Sequence, residues 1–327
     1  MKQSIKAGKQ MNGGIDFSIL REEEIQEIHE ATLEILWRTG MYVELPEAQD
    51  LFADGGAVVD KQTGIVKIPP HMVQAALDSV PSKFFLPSRD GKHDVVLEDG
   101  RVGFTNFGEA IKVVDPVTRE VREPQKKDLA DCTRLLDYLE HIDVVERPMG
   151  CHEVNQDVLA LHNAEALLNN TTKHIMLGPQ SGALAKKIID MVAAVAGGRE
   201  HLAEKGVITF LTCPVSPLKL PNDCCEIIIE GSRAGMGVGV LSQVLCGGTG
   251  PVTIAGTLVQ HNAEVLSTLV LSQLVNRGVS FMYSSSTCSL DLRLGSAIVG
   301  NPETALISAA IAQMARHYLL PVWVAGG

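Results

Sequence analysis

Between Arg21 and Thr39 the residues Ile25, Ile28, Ala31, Ile35 and Leu36 fall on one stripe, with glutamates opposite. That spacing predicts an amphipathic helix, and Gly40 can supply its left-handed stop. Shorter helices are predicted at 46–53 and 70–79, the second opened by Pro69-Pro70 and closed before Pro81. The period then changes. Val95-Val96-Leu97 and Val102-Gly103-Phe104 flank the polar stretch 98–101, and Ile111–Val114 and Glu120–Arg122 flank Asp115-Pro116, so both stretches are predicted to be hairpins. Residues 1–124 are therefore expected to form an N-terminal helical and β-hairpin extension.

From Ile142 onward, short apolar runs alternate with helical stretches. Strands are predicted at 143–147, 174–177, 207–212, 238–241, 280–283 and 321–324. Helices are predicted at about 155–169, 183–196, 222–234, 253–276 and 302–318, which gives the βαβ rhythm of a parallel sheet. A doubly wound sheet can hold six strands, but the usual Gly-rich first turn and its later acidic residue are missing. The expected class is α/β, a (β/α)8 TIM-type barrel, with residues 125–327 supplying its first six strand-helix units. The chain ends at Trp323-Val324-Ala325-Gly326-Gly327, on the sixth strand. The barrel is thus expected to be incomplete at its C-terminus, the sequence to be a fragment, and an edge of buried strand to be left open.

Composition narrows the function. The chain has 327 residues, 45% hydrophobic and 20% charged, enough apolar material for a large core. Net charge is -11 and the 28 Lys and Arg are scattered, so no nucleic acid is expected as partner. The basic N-terminus lacks the apolar run of a signal peptide. The apolar region Pro251–Val275 is interrupted by Gln260, His261, Asn262 and Glu264, so no membrane span is expected and a cytoplasmic location follows. Seven cysteines at irregular spacing read as reduced thiols. Cys151-His152 and Cys224-Cys225 lack tetrahedral spacing, so no metal site is expected.

In a barrel the chemistry lies just past the strand ends. After the third strand, Cys213 or Ser216 could face a ligand, although the prolines around them also fit a rigid loop. Gln243 and the glycines of 246–251 follow the fourth strand. His261 and Glu264 could serve as acid and base with Asn262 as anchor, or could simply bond each other in a packed interior. Tyr283-Ser284-Ser285-Ser286-Thr287 ends the fifth strand, where Ser285 and Ser286 offer hydroxyls and Tyr283 a π-face for an ammonium group. In a chain with only 4% aromatic residues, Phe107, Tyr283 and Trp323 are candidates for an amine-binding cage.

Several segments resemble signatures of the trimethylamine methyltransferase family: FTNFGEAIKV at 104–113, LTCPVSPL at 211–218, GGTGPVTIAGTLVQHNAEVLS at 247–267, YSSST at 283–287 and LPVWVAGG at 320–327. With EEEIQEIHEATLEIL near the N-terminus, the resemblance spans essentially the whole chain. It implies a barrel enzyme of methylamine metabolism and methanogenesis that passes a methyl group from trimethylamine to Co(I) of a separate corrinoid protein, giving dimethylamine and methyl-Co(III). No cofactor would be bound directly. The absence of a D-x-H-x-x-G pattern is consistent with cobalamin arriving on the partner. A homo-oligomer is expected.

Members of that family divide by one residue. Some carry pyrrolysine, encoded by an amber codon, after a Gly-Gly matching Gly326 and Gly327; the others demethylate quaternary amines such as glycine betaine. The resemblance implies pyrrolysine at position 328, trimethylamine as substrate, Gly326 and Gly327 beside it, and a 327-residue product that is inactive and poorly folded by itself. Other readings are a quaternary-amine methyltransferase, a barrel lyase or hydrolase using His261 and Glu264, and a binding protein for small ammonium compounds.

Overall fold

The apolar stripe that begins at Ile25 becomes a helix of the expected extent, and so do the segments after it. The computed structural model describes residues 9–10 and 18–325. Along the chain run α1 (Glu22–Arg38), α2 (Pro46–Asp54), α3 (Pro70–Ser79), α4 (Lys126–Tyr138), β1 (Val144–Glu146), α5 (Leu159–Asn170), β2 (His174–Leu177) and α6 (Gly182–Ala196). They are followed by α7 (Leu202–Lys205), β3 (Ile208–Thr212), α8 (Asn222–Arg233), β4 (Val238–Ser242), α9 (Ile254–Val275), β5 (Phe281–Ser285), α10 (Pro302–His317) and β6 (Val322–Val324). All six predicted parallel strands are present. Helix α4 is an addition, with Leu129, Thr133 and Leu136 forming its buried stripe.

Gly40 ends α1 as its position suggests. Its φ is +82°, its N–H bonds the Ile35 carbonyl at 2.9 Å, and a Cβ there would lie 2.7 Å from the Val66 carbonyl oxygen. Around Asp115 the predicted hairpin forms, pairing Val113 with Arg122 and Val114 with Val121. The hairpin predicted over 95–104 does not. Val95–Leu97 pairs with Phe84–Leu86, and Arg101–Val102 pairs antiparallel with Lys9–Gln10. The Glu98–Arg101 turn closes as a turn, but segments distant in sequence satisfy the edges on either side of it.

Contacts divide the chain into two units. One comprises residues 85–211 and 234–236 together with the Lys9–Gln10 strand; the other comprises 18–84, 212–233 and 237–325. The extension expected over 1–124 is therefore not a body of its own among the described residues, because α1, α2 and α3 pack against α9.

In the first unit, β1, β2 and β3 are consecutive parallel strands, with Val144 opposite His174 and Ile175 opposite Ile208. All residues of these three strands are buried, as expected of a parallel sheet covered on both faces.

In the second unit, β4, β5 and β6 are likewise parallel, with Tyr283 opposite Val240 on one side and Val322 on the other. Strands β4 and β5 are wholly buried and β6 is half-buried. Residues after β4 and β5 build a small three-stranded sheet at 245–246, 288–291 and 296–298, which the apolar pattern did not indicate.

The core of the second unit is α9. It has 22 residues and is surrounded by α1, α2, α3, α8 and α10 as well as by β4 and β5. A helix enclosed on all sides carries apolar residues around its whole circumference. No described helix is long and apolar enough to cross a membrane.

Leu269 of α9 is fully buried. Leu269→Ala is expected to cost about 2–5 kcal/mol, whereas truncating the exposed Leu294 should stay within about 0.5 kcal/mol. Urea denaturation checks both, and equal effects would contradict this placement of the core.

Candidate functional site

The polar residues that interrupt α9 are all buried, and each has identifiable partners. Thr253 caps the helix by accepting the Gly256 N–H at 3.2 Å. About three turns later Glu264 accepts four hydrogen bonds: from the Ser216 hydroxyl at 2.8 Å, the Leu218 N–H at 3.0 Å, the Ser242 hydroxyl at 2.6 Å and the Gln260 amide at 3.0 Å. A carboxylate offers about four acceptor positions. Those of Glu264 are taken, and the group fastens the loop after β3 and the end of β4 to α9.

His261 faces β5. Its Nε2 lies 3.3 Å from the Ser284 carbonyl, to which it donates, leaving Nδ1 as an acceptor 3.3 Å from the Tyr283 hydroxyl. The Tyr283 hydroxyl donates to Asn262 Oδ1 at 2.8 Å. The Asn262 amide donates to Thr32 and to the Tyr318 hydroxyl, and Tyr318 in turn lies 2.9 Å from His29 Nδ1. A continuous polar chain thus runs from α9 to α1 and α10. Burial holds His261 down at about 4, so it is neutral at physiological pH, and burial raises both tyrosines.

This geometry changes the expected roles. His261 and Glu264 do not bond each other; three positions apart, they diverge toward different strands. A general base needs a lone pair within reach of the substrate's proton. The acceptor positions of Glu264 are filled, and the Nδ1 of His261 faces Tyr283. Neither is placed for acid–base chemistry, and the lyase or hydrolase reading loses its pair. Tyr283 is fully buried, edge-on to His261 at 5.3 Å and beside Tyr318, so it presents no open face to an ammonium group. Ser285 is buried, its hydroxyl accepting the Thr287 N–H at 3.0 Å. These predicted residues form the packing of the second unit.

Other predicted residues stand at the strand ends. Gln243 is exposed directly after β4, and the half-buried Ser286 donates its backbone N–H to the Ser242 carbonyl. Trp323 in β6 is half-buried, and its indole nitrogen has no hydrogen-bond partner among the described residues. Phe107 belongs to the first unit and is exposed. Gly326 and Gly327 lie outside the described residues.

A second polar centre lies in the first unit and was not among the predicted sites. Glu146 ends β1, and Arg147 follows it; both are more than nine-tenths buried. Segment 104–110 runs alongside β1, with Thr105 bridging Val144 and Ala110 bridging Met149. Asn106 accepts the Glu146 N–H at 3.0 Å and donates to its carbonyl at 2.8 Å. Arg147 is paired with Glu109. One carboxyl oxygen of Glu146 and the Nε and Nη1 of Arg147 have no partner among the described residues. Burial and the nearby Glu109 push the Glu146 carboxyl up to about 8, against the opposing pull of Arg147. A charged pair at the end of a buried strand was the available signal. No group of three or more His, Cys, Asp and Glu suited to a metal occurs among the described residues.

Residues 2–327 match the family model described as trimethylamine methyltransferase. The chain belongs to that family. It is 43% identical to the trimethylamine methyltransferase MttB of Desulfitobacterium hafniense, covering 100% of this chain and 66% of that protein. Against MttB of Methanosarcina thermophila the identity is 40%, over 99% and 68%. The glycine betaine methyltransferase of Desulfitobacterium hafniense is more distant at 29%, over 95% and 64%. The chain thus spans about two thirds of the length of these relatives. The crystal structure of the Methanosarcina barkeri monomethylamine methyltransferase superimposes with a TM-score of 0.52 at 14% identity, covering 92% of this chain and 65% of that one, a likeness of fold.

Buried imidazoles make one solution property of this family member predictable. His174 bonds the Pro87 carbonyl and the Thr209 hydroxyl, and burial lowers it, like His261, to about 4. Each imidazole binds its proton less readily folded than unfolded, so stability is expected to fall as pH drops from about 6.5 toward 4, by at most about 1.4 kcal/mol per pH unit per histidine. Urea midpoints across that range check this. A His261→Gln variant should show a flatter dependence, and an unchanged one would contradict the neutral assignment.

Proposed function

We propose that the protein takes a methyl group from trimethylamine and passes it to the corrinoid of a separate protein, leaving dimethylamine. The observation that carries this reading is the whole-chain similarity to trimethylamine methyltransferases, 43% and 40%, against 29% to a glycine betaine enzyme. The alternating parallel units in each half of the chain support a TIM-type barrel as the scaffold.

The chemistry demands little covalent work and much positioning. When the methyl group leaves, the C–N electron pair stays on nitrogen, which departs well only as a neutral amine. The nitrogen must therefore be protonated or fully substituted beforehand. Holding that nitrogen in a fixed place, its methyl carbon turned to the incoming nucleophile, is catalysis by orientation. The corrinoid supplies the nucleophile; the chain's own residues bind and aim the amine.

Incubation of the full-length protein with trimethylamine and a reduced corrinoid protein, following the cobalt spectrum and dimethylamine together, tests the proposal. Stoichiometric dimethylamine is expected. Demethylation of glycine betaine with trimethylamine untouched would overturn it in favour of a quaternary-amine enzyme.

A further inference from the structure

The geometry points to Glu146 as the residue that binds the amine nitrogen of the substrate and carries the proton shared with it. This rests on the proposed reaction for its substrate class, and on the first unit's own geometry for the site.

The position is the first argument. Glu146 is the last residue of β1, and in folds of parallel strand-helix units reacting groups gather at that end of the strands. The second argument is an imbalance. Asn106 holds the main chain of Glu146 from both sides, yet the buried Oε2 of the side chain has no donor. Leaving a buried polar atom unmatched costs more than a made hydrogen bond returns, so natural proteins keep such atoms where something else supplies the partner. Gly108 brings bare backbone against the other oxygen: a Cβ there would sit 3.0 Å from Oε1 and 2.6 Å from the Arg147 carbonyl oxygen.

Charge selects what the partner is. Glu109 already answers the charge of Arg147. With Glu146 ionised, the three side chains sum to one negative charge, and a small organic cation restores neutrality. With Glu146 protonated, as its upward shift to about 8 favours at pH 7, the centre is neutral and waits with a proton to give.

The step balances simply. A free tertiary amine arriving at the acid takes the carboxyl proton: the O–H bond breaks with its electron pair left on oxygen, and an N–H bond forms from the nitrogen lone pair. An ammonium ion arriving already protonated displaces the carboxyl proton to solvent. Either route ends in the same ammonium–carboxylate pair, whose nitrogen is ready to depart as a secondary amine. A quaternary ammonium has no N–H to donate to this oxygen, so Glu146 favours tertiary over quaternary amines.

Calorimetric titration of the full-length protein with trimethylamine at pH 7, in two buffers of different ionisation enthalpy, reads both affinity and proton release. Release of about one proton per amine is expected. Glu146→Gln should bind at least tenfold more weakly and release none. Glu109→Gln, which keeps the Glu146 carboxyl but removes the excess negative charge, should bind more weakly than the parent but more tightly than Glu146→Gln, and release fewer protons; it also serves should Glu146→Gln fail to fold. Glu146→Gln binding within twofold of the parent, with the same proton release, would overturn the inference and leave only ordered water on that oxygen. Turnover separates the two readings. Methyl transfer unaffected by Glu146→Gln would sink this inference alone, and failure of the parent protein to bind or demethylate trimethylamine would sink both.

Discussion

A single buried carboxylate sets the arrangement of the second unit. Glu264 sits on the central helix with no exposure, and four donors converge on it from a loop, a strand end and its own helix. Carboxyl oxygens at that depth need donors, and these four supply them. The consequence is positional. Leu218 adopts a left-handed φ of +53°, unusual for a leucine, and its N–H is one of the four donors. The loop after β3 is therefore held in a conformation that its own residues do not favour.

The same helix shows how a buried polar stretch can be structural throughout. Tyr283 donates to Asn262, Asn262 donates to Tyr318, and the run ends at His29, with His261 Nδ1 facing the Tyr283 hydroxyl. His261, Asn262, Tyr283 and Tyr318 are all buried in the packing around that helix. The first unit offers a contrasting case at Glu146 and Arg147, which are buried yet keep one carboxyl oxygen and two guanidinium nitrogens without a partner among the described residues. Unanswered donors and acceptors, rather than polarity itself, set Glu146 and Arg147 apart from the polar residues around α9.

Much of the architecture was legible in the chain. The six apolar runs from Val144 to Val324 became parallel strands, and α9 could be read as one long helix because its apolar residues outnumber its polar ones. The partners of those interruptions were not legible. Periodicity places His261 and Glu264 on neighbouring faces of a helix, but only the tertiary arrangement decides that one meets Ser284 and the other Ser216, Leu218 and Ser242. The burial of Glu146 was hidden for a related reason. A glutamate at a strand end reads as solvated until segment 104–110, forty positions earlier, covers it. The failed hairpin at 95–104 has the same origin, since the partner of Arg101–Val102 lies at Lys9–Gln10.

Amide hydrogen exchange at Leu218 in a Glu264→Ala variant tests the role assigned to that carboxylate most directly. The account predicts that the Leu218 amide loses nearly all its protection while amides in the middle of α9, such as that of Leu269, keep theirs. Leu218 protection equal to that of the parent protein would show that the loop holds its shape without Glu264, and would contradict the account.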